Sequence, residues 1–133
     1  MSGSPVTEFF FRFAMRRTRA ADLDEVLAHS PATLDILFLW GRDCPNCENA
    51  KRAILAAPAR FLWPDVRWLH DDVYDDGGMA TRFGLHGIPV FFVFQRTRKI
   101  GRITAWPGTE AFIDTIDRQR KLCAPPSADP AVE

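Results

Sequence analysis

Apolar and polar residues change their spacing several times along this chain, and each spacing predicts an element. Phe9, Phe11, Phe13 and Met15 alternate with Phe10, Arg12, Ala14 and Arg16, the two-residue period of a half-buried strand. A helix is expected next, with Thr18 or Asp22 as its cap and Glu25 three residues after Asp22. Its apolar stripe is Leu23, Val26 and Leu27, and His29-Ser30-Pro31 stops it. Leu34 to Trp40 is apolar apart from Asp35, which predicts a strand buried on both faces. A helix from Pro45 to about Ala57 turns Ala50, Ala53, Ile54 and Ala57 inward and Glu48, Lys51 and Arg52 outward, and Pro58 ends it.

Val66 to His70 reads as a short strand. Asp71 to Gly78, with four aspartates and two glycines, reads as a solvated loop leading to a helical turn over Met79 to Phe83 that Gly84 closes. Val90 to Phe94 is a second continuous apolar run, followed by a hairpin turn at Gln95 to Lys99 and a returning strand from Ile100 to Trp106. Thr109 can cap a last helix with Phe112, Ile113, Ile116 and Leu122 inward and Asp114, Asp117, Arg118 and Arg120 in water. Residues 124–133, rich in proline and alanine, are expected to be a disordered tail to a single domain over 1–123. The order of strands and helices implies a mixed sheet with helices on both faces, an α/β architecture.

Composition narrows the chemistry. With 133 residues, 47% of them hydrophobic, the chain buries about two thirds of the surface its unfolded form exposes, so no disulfide or metal is needed for a core. Seventeen basic and seventeen acidic residues balance, and no basic run is interleaved with aromatics, so a nucleic-acid partner is not expected. Arg12, Arg16, Arg17 and Arg19 break up the aromatic N-terminal stretch, leaving neither a signal-peptide core nor a spanning segment; no membrane partner and a cytoplasmic location are expected.

The candidate chemistry is Cys44-Pro45-Asn46-Cys47, placed where a buried strand gives way to a helix. A helix N-terminus offers unpaired N–H groups and the positive end of the macrodipole, which favour a thiolate over the free-cysteine pKa of about 8.5. Pro45 suits the first helical position, and Cys47 returns one turn later to the side of Cys44. The spacing points to dithiol/disulfide exchange, with Cys44 attacking and Cys47 resolving. A zinc site would need four ligands, and Cys123, His29, His70 and His86 include no second close pair, so no metal is expected. The aspartates of 71–76 lack the spacing of a calcium loop. Trp63, Trp68 and Trp106 read as packing residues, Trp40 as a wall of the thiol pocket, His70 as structural and Cys123 as a spare thiol. His86 is open between a solvated loop residue and a substrate contact.

From about Phe9 to Cys123 the sequence resembles the thioredoxin family. Phe38-Leu39-Trp40-Gly41-Arg42-Asp43-Cys44-Pro45-Asn46-Cys47 is similar to the family's strand-to-active-site segment. Arg82-Phe83-Gly84-Leu85-His86-Gly87-Ile88-Pro89 is similar to its approach to a cis-proline, and Trp106-Pro107-Gly108 to the end of its hairpin. The resemblance implies a three-layer α/β/α sandwich with a central mixed sheet. It implies a cis Ile88–Pro89 bond beside the dithiol, where the Ile88 backbone, Pro89, Trp40, Pro45 and Asn46 meet substrate. It also implies a monomer that works on disulfide-containing proteins with an electron donor, using no cofactor beyond a Cys44–Cys47 redox-active disulfide. Three departures bear on its direction. Pro45-Asn46 replaces the Gly-Pro of thioredoxins and is closer to glutaredoxins, within a range of potentials of about −270 to −120 mV that corresponds to roughly 7 kcal/mol. Asp43 stands where the family usually has tryptophan, and its carboxylate opposes thiolate formation at Cys44, with Arg42 as an offset. Phe38 stands where the family has a buried acid that takes the proton of the resolving cysteine, so that role is vacant or falls to water or another residue.

Two other readings stay open. A glutathione-linked, glutaredoxin-like protein is favoured by Pro45, but Gly87-Ile88-Pro89 is not the usual Thr-Val-Pro and no Gly-Gly follows. A protein-interaction module would present the proline groove to one partner with little turnover.

Overall fold

A computed structural model describes residues 8–123, so the expected tail at 124–133 lies outside the described residues. The chain runs α1 (Phe9–Arg12), β1 (Arg16–Arg17), a 3₁₀ turn at Ala20–Asp22, α2 (Leu23–Ala28), β2 (Leu34–Trp40), α3 (Pro45–Ala56), a 3₁₀ turn at Pro58–Phe61, β3 (Val66–Asp72), α4 (Gly77–Phe83), β4 (Val90–Gln95), β5 (Arg98–Thr104) and α5 (Thr109–Cys123). The five strands lie in the order β1-β3-β2-β4-β5. β1, β3 and β2 are parallel to one another, while β4 runs antiparallel to β2 and β5 antiparallel to β4.

The two-residue strand period splits the core into two layers. Leu34, Ile36, Phe38, Trp68, Phe91 and Val93 face α1, α3 and α5, while Leu37, Leu39, Leu69, Val90, Phe92 and Phe94 face α2 and α4. β2 and β4 are covered on both sides, which is why they read as continuous apolar runs. Gly84 closes α4 in the left-handed conformation at φ 58°, where a Cβ is disfavoured.

Several expectations are corrected. The alternation from Phe9 to Arg16 is not one strand: α1 occupies Phe9–Arg12, and only Arg16–Arg17 pairs with β3. Phe9 and Phe13, four apart, are both buried and stack at 5.9 Å, whereas Phe11 is 93% exposed. Aromatics at nearly every position satisfy both periods, and the sheet end formed by Trp40, Trp68 and His70 takes Phe10 and Phe13 against it. Neither Thr18 nor Asp22 caps α2 with its side chain; the Thr18 hydroxyl donates to the Arg16 carbonyl instead. Leu122 is exposed rather than inward, because it lies six residues past Ile116 on the far side of α5, while Cys123 packs against the core. Arg120 leaves the water side of α5 and grips Asp65 with two bonds of 2.9 and 3.0 Å from Nε.

The aspartate segment is not all solvated either. Asp71 and Asp72 end β3, and Asp71 is fully buried, accepting from Arg17 Nε at 2.8 Å. Burial and its neighbour Asp76 push the Asp71 carboxyl up to about 7 against the pull of Arg17. No described helix is long and apolar enough to cross a membrane.

Candidate active site

β2 and α3 meet through Gly41-Arg42-Asp43. Asp43 holds φ 57°, a left-handed conformation that aspartate tolerates better than most residues, and this turn starts α3 at Pro45. Cys44 is the N-cap: its Sγ accepts the Cys47 N–H at 3.1 Å, so the residue that ends the helix also receives one of its unpaired donors. Cys44 and Cys47 are joined as a disulfide with Cα atoms 5.2 Å apart. Cys44 is 8% exposed and Cys47 is fully buried, so Cys44 is the member of the pair nearer the surface.

The Ile88–Pro89 peptide is cis, and the carbonyl oxygen of Ile88 lies 3.7 Å from Cys44 Sγ. The loop is anchored from behind, where Ala105 N–H donates to the Pro89 carbonyl at 2.8 Å and ties it to the end of β5. Gly41 fits between this loop and Tyr74, because a Cβ there would lie 2.6 Å from Tyr74 Cδ2 and 2.9 Å from Ile88 Cδ1. Tyr74, more than half exposed, and Arg42, whose guanidinium sits 5.1 Å over its ring, thus form one side of the site.

Of the residues singled out from the sequence, Cys44, Cys47, Ile88 and Pro89 come together. Pro45 is exposed and Asn46 half-buried on the first turn of α3. Trp40 lines an adjacent cleft of about 300 Å³ with Phe10, Arg42, Asp43, Glu48 and Lys51. His86 is exposed, and Phe38 lies beneath α3, stacked on Phe91 at 4.8 Å with 4° between the planes. Among the described residues no cluster of three or more His, Cys, Asp or Glu could hold a metal ion.

The expectation that Lys51 points outward is wrong. It is 4% exposed, with Nζ 3.6 Å from the Trp40 ring centroid and 5.1 Å from that of Phe10. Burial lowers its amine to about 8, with Glu48 and Asp72 pulling the other way. His70 completes the cluster, its ring stacked on Phe10 at 3.8 Å and its Nδ1 accepting from Trp40 Nε1 at 3.1 Å. Burial, then the charges of Arg17 and Lys51, lower His70 to about 4, so at neutral pH it is an uncharged ring with the proton on Nε2. The signal for Lys51 was in the phase: Cys47, Ala50, Lys51 and Ile54 share one face of α3, and only the residue type argued otherwise.

Solved structures of thioredoxins share this arrangement of strands and helices. Thioredoxin f2 of Chlamydomonas reinhardtii superposes with a TM-score of 0.67 over 80% of this chain and 97% of its own, at 14% identity. The Fasciola hepatica thioredoxin gives 0.67 over 78% and 98%, at 21% identity. A mutant thioredoxin from Halobacterium salinarum gives 0.63 over 77% and 88%, at 15% identity. The protein therefore has the thioredoxin-like α/β fold, with a Cys-x-x-Cys disulfide at the start of α3. No protein-family model and no curated protein sequence matches the chain.

Proposed function

We propose that this protein is a thiol:disulfide oxidoreductase that reduces or exchanges disulfides in protein substrates. The observation that carries this reading is the pairing of the Cys44 sulfur at a helix N-terminus with the Ile88-Pro89 loop, whose Ile88 carbonyl lies 3.7 Å away. The reduced Cys44 is favoured as thiolate by the macrodipole and by the Cys47 N–H aimed at its sulfur. It attacks one sulfur of a substrate disulfide and expels the other as a thiolate. Cys47 then attacks Cys44, releases the reduced substrate and leaves the intramolecular disulfide, which an electron donor reduces again. The Ile88 backbone, Pro89, Trp40, Pro45 and Asn46 form the contact surface for an extended substrate segment. The dithiol is the only redox group in this reading, the protein acts as a monomer, and a reducing cytoplasm suits its role as reductant.

Insulin reduction by the unsubstituted protein and by Cys44→Ser tests this. Turnover lost in Cys44→Ser, together with a persistent mixed disulfide on Cys44 in Cys47→Ser, is the expected result. No turnover of a model disulfide and no trapped adduct would leave the interaction module instead. Turnover that depends on glutathione would move the protein to the glutaredoxin-like class.

A further inference from the structure

We propose that Lys51 is the proton acceptor for Cys47 when the mixed disulfide is resolved, a role that rests on the oxidoreductase reading above. Cys47 has no exposed surface, so bulk water does not reach its thiol, yet it must lose a proton to attack. Lys51 follows it by four residues on the same buried face of α3, a spacing that sets Cβ atoms about 5–6 Å apart. Side chains on a helix lean toward its N-terminus, the end on which Cys47 lies, and the Lys51 amine sits over the Trp40 ring.

The other groups around Lys51 are poorly suited to the task. On its own helix, Glu48 is about half exposed and faces Arg52 at 3.7 Å. On β3, His70 has Nδ1 occupied by Trp40, and Asp72 accepts the Tyr74 N–H at 3.0 Å. Arg42 and Asp43 stand exposed at the rim of the cleft, and α1 contributes only the rings of Phe9 and Phe10. Lys51 forms no hydrogen bond or ion pair among the described residues, so as an amine its lone pair is free. Its lowered amine value, about 8, lies close to the thiol range, which is the matching that proton transfer requires.

The step balances. Cys47–SH gives its proton to the Lys51 amine; the Cys47 sulfur bonds to Cys44; the bond from Cys44 to substrate sulfur breaks; and the substrate leaves as a thiolate. Lys51 emerges as an ammonium over the Trp40 face, where the ring attracts the new charge, and it returns the proton to the leaving thiolate or to solvent.

Cys47 alone is titrated by its ultraviolet thiolate absorbance in a Cys44→Ser/Cys123→Ser protein, with and without Lys51→Met. The expected result is a Cys47 midpoint raised by at least about one pH unit in Lys51→Met. In single turnover, substrate release from Cys44 slows about tenfold or more while formation of the mixed disulfide changes less than about twofold. An unmoved Cys47 midpoint overturns the proposal. Should Lys51→Met not fold, NMR titration of the Lys51 amine in the unsubstituted protein decides, because coupling shifts its midpoint on reduction and identical midpoints in both redox forms refute it. A protein that never forms a mixed disulfide defeats the oxidoreductase reading, while the Cys47 titration still decides the coupling.

Discussion

The two faces of the sheet bury ionisable groups in opposite ways. On the face toward α2 and α4, Asp35 accepts from Arg67 Nε at 2.6 Å, and Asp71, at the end of β3, accepts from Arg17 on the edge strand. On the face toward α1, α3 and α5, Lys51 and His70 are buried with no opposite charge in contact, held among Phe10 and Trp40. The first arrangement holds each carboxyl group against an arginine, which fixes geometry, although burial and Asp76 still raise Asp71 to about 7. The second leaves its groups unpaired, so burial lowers both: Lys51 to about 8, near the thiol range, and His70 to about 4, where it stays uncharged at neutral pH; the pair lies against the helix that carries the dithiol.

The contrast breaks most visibly at Arg67. Arg67→Met leaves the Asp35 carboxylate buried without its partner and removes a donor to the Val26 carbonyl, for an expected loss of about 3–5 kcal/mol by urea denaturation. Redox turnover of the folded fraction stays unchanged, and a loss under about 1 kcal/mol would show that the pair is not structural.

His70 is next. An unfolded histidine ionises near 6.5 and His70 at about 4, so between those values the unfolded chain binds the additional proton. His70 therefore contributes full stability above 6.5 and loses about 2–3 kcal/mol as the pH falls to 4, a slope that His70→Asn flattens. Asp71, raised to about 7, acts with the opposite sign, because between its unfolded value and 7 the folded state holds the additional proton. Asp71→Asn should then steepen the acid-side loss, measured as denaturation midpoints across this range.

Lys51 separates the faces by sign. Burying its ammonium costs stability that the Trp40 face offsets only in part, so Lys51→Met is expected to stabilise the fold by about 1–2 kcal/mol in thermal melts while slowing turnover. A destabilised Lys51→Met would place Lys51 with the structural groups. The smallest effect is expected from Arg82→Ala, which removes an exposed pair with Asp24 and should cost less than about 0.5 kcal/mol.

Much of the fold was legible because burial writes itself into spacing. β2 matched its apolar run from Leu34 to Trp40, α3 its stripe and its Pro45 start, and α4 its Gly84 stop. The dithiol was legible for a related reason, since three residues of separation at a helix start place two sulfurs together by local geometry alone. The first segment was not, because Phe9, Phe10, Phe11 and Phe13 fit a strand and a helix equally, and contact with Trp40, Trp68 and His70 selected the helix.

What the sequence determined by itself was the local part: the order of elements from α2 onward, two sulfurs at the head of α3, and the phase that puts residue 51 on the inner side. Tertiary structure alone decided which charges were buried and whether they were paired. Asp71 meets Arg17 across 54 residues, and Lys51 meets Trp40 and Phe10 from two other elements. Proton affinity depends on the dielectric and the neighbours that the whole fold assembles around a group, and no stretch of chain carries that information in its own spacing.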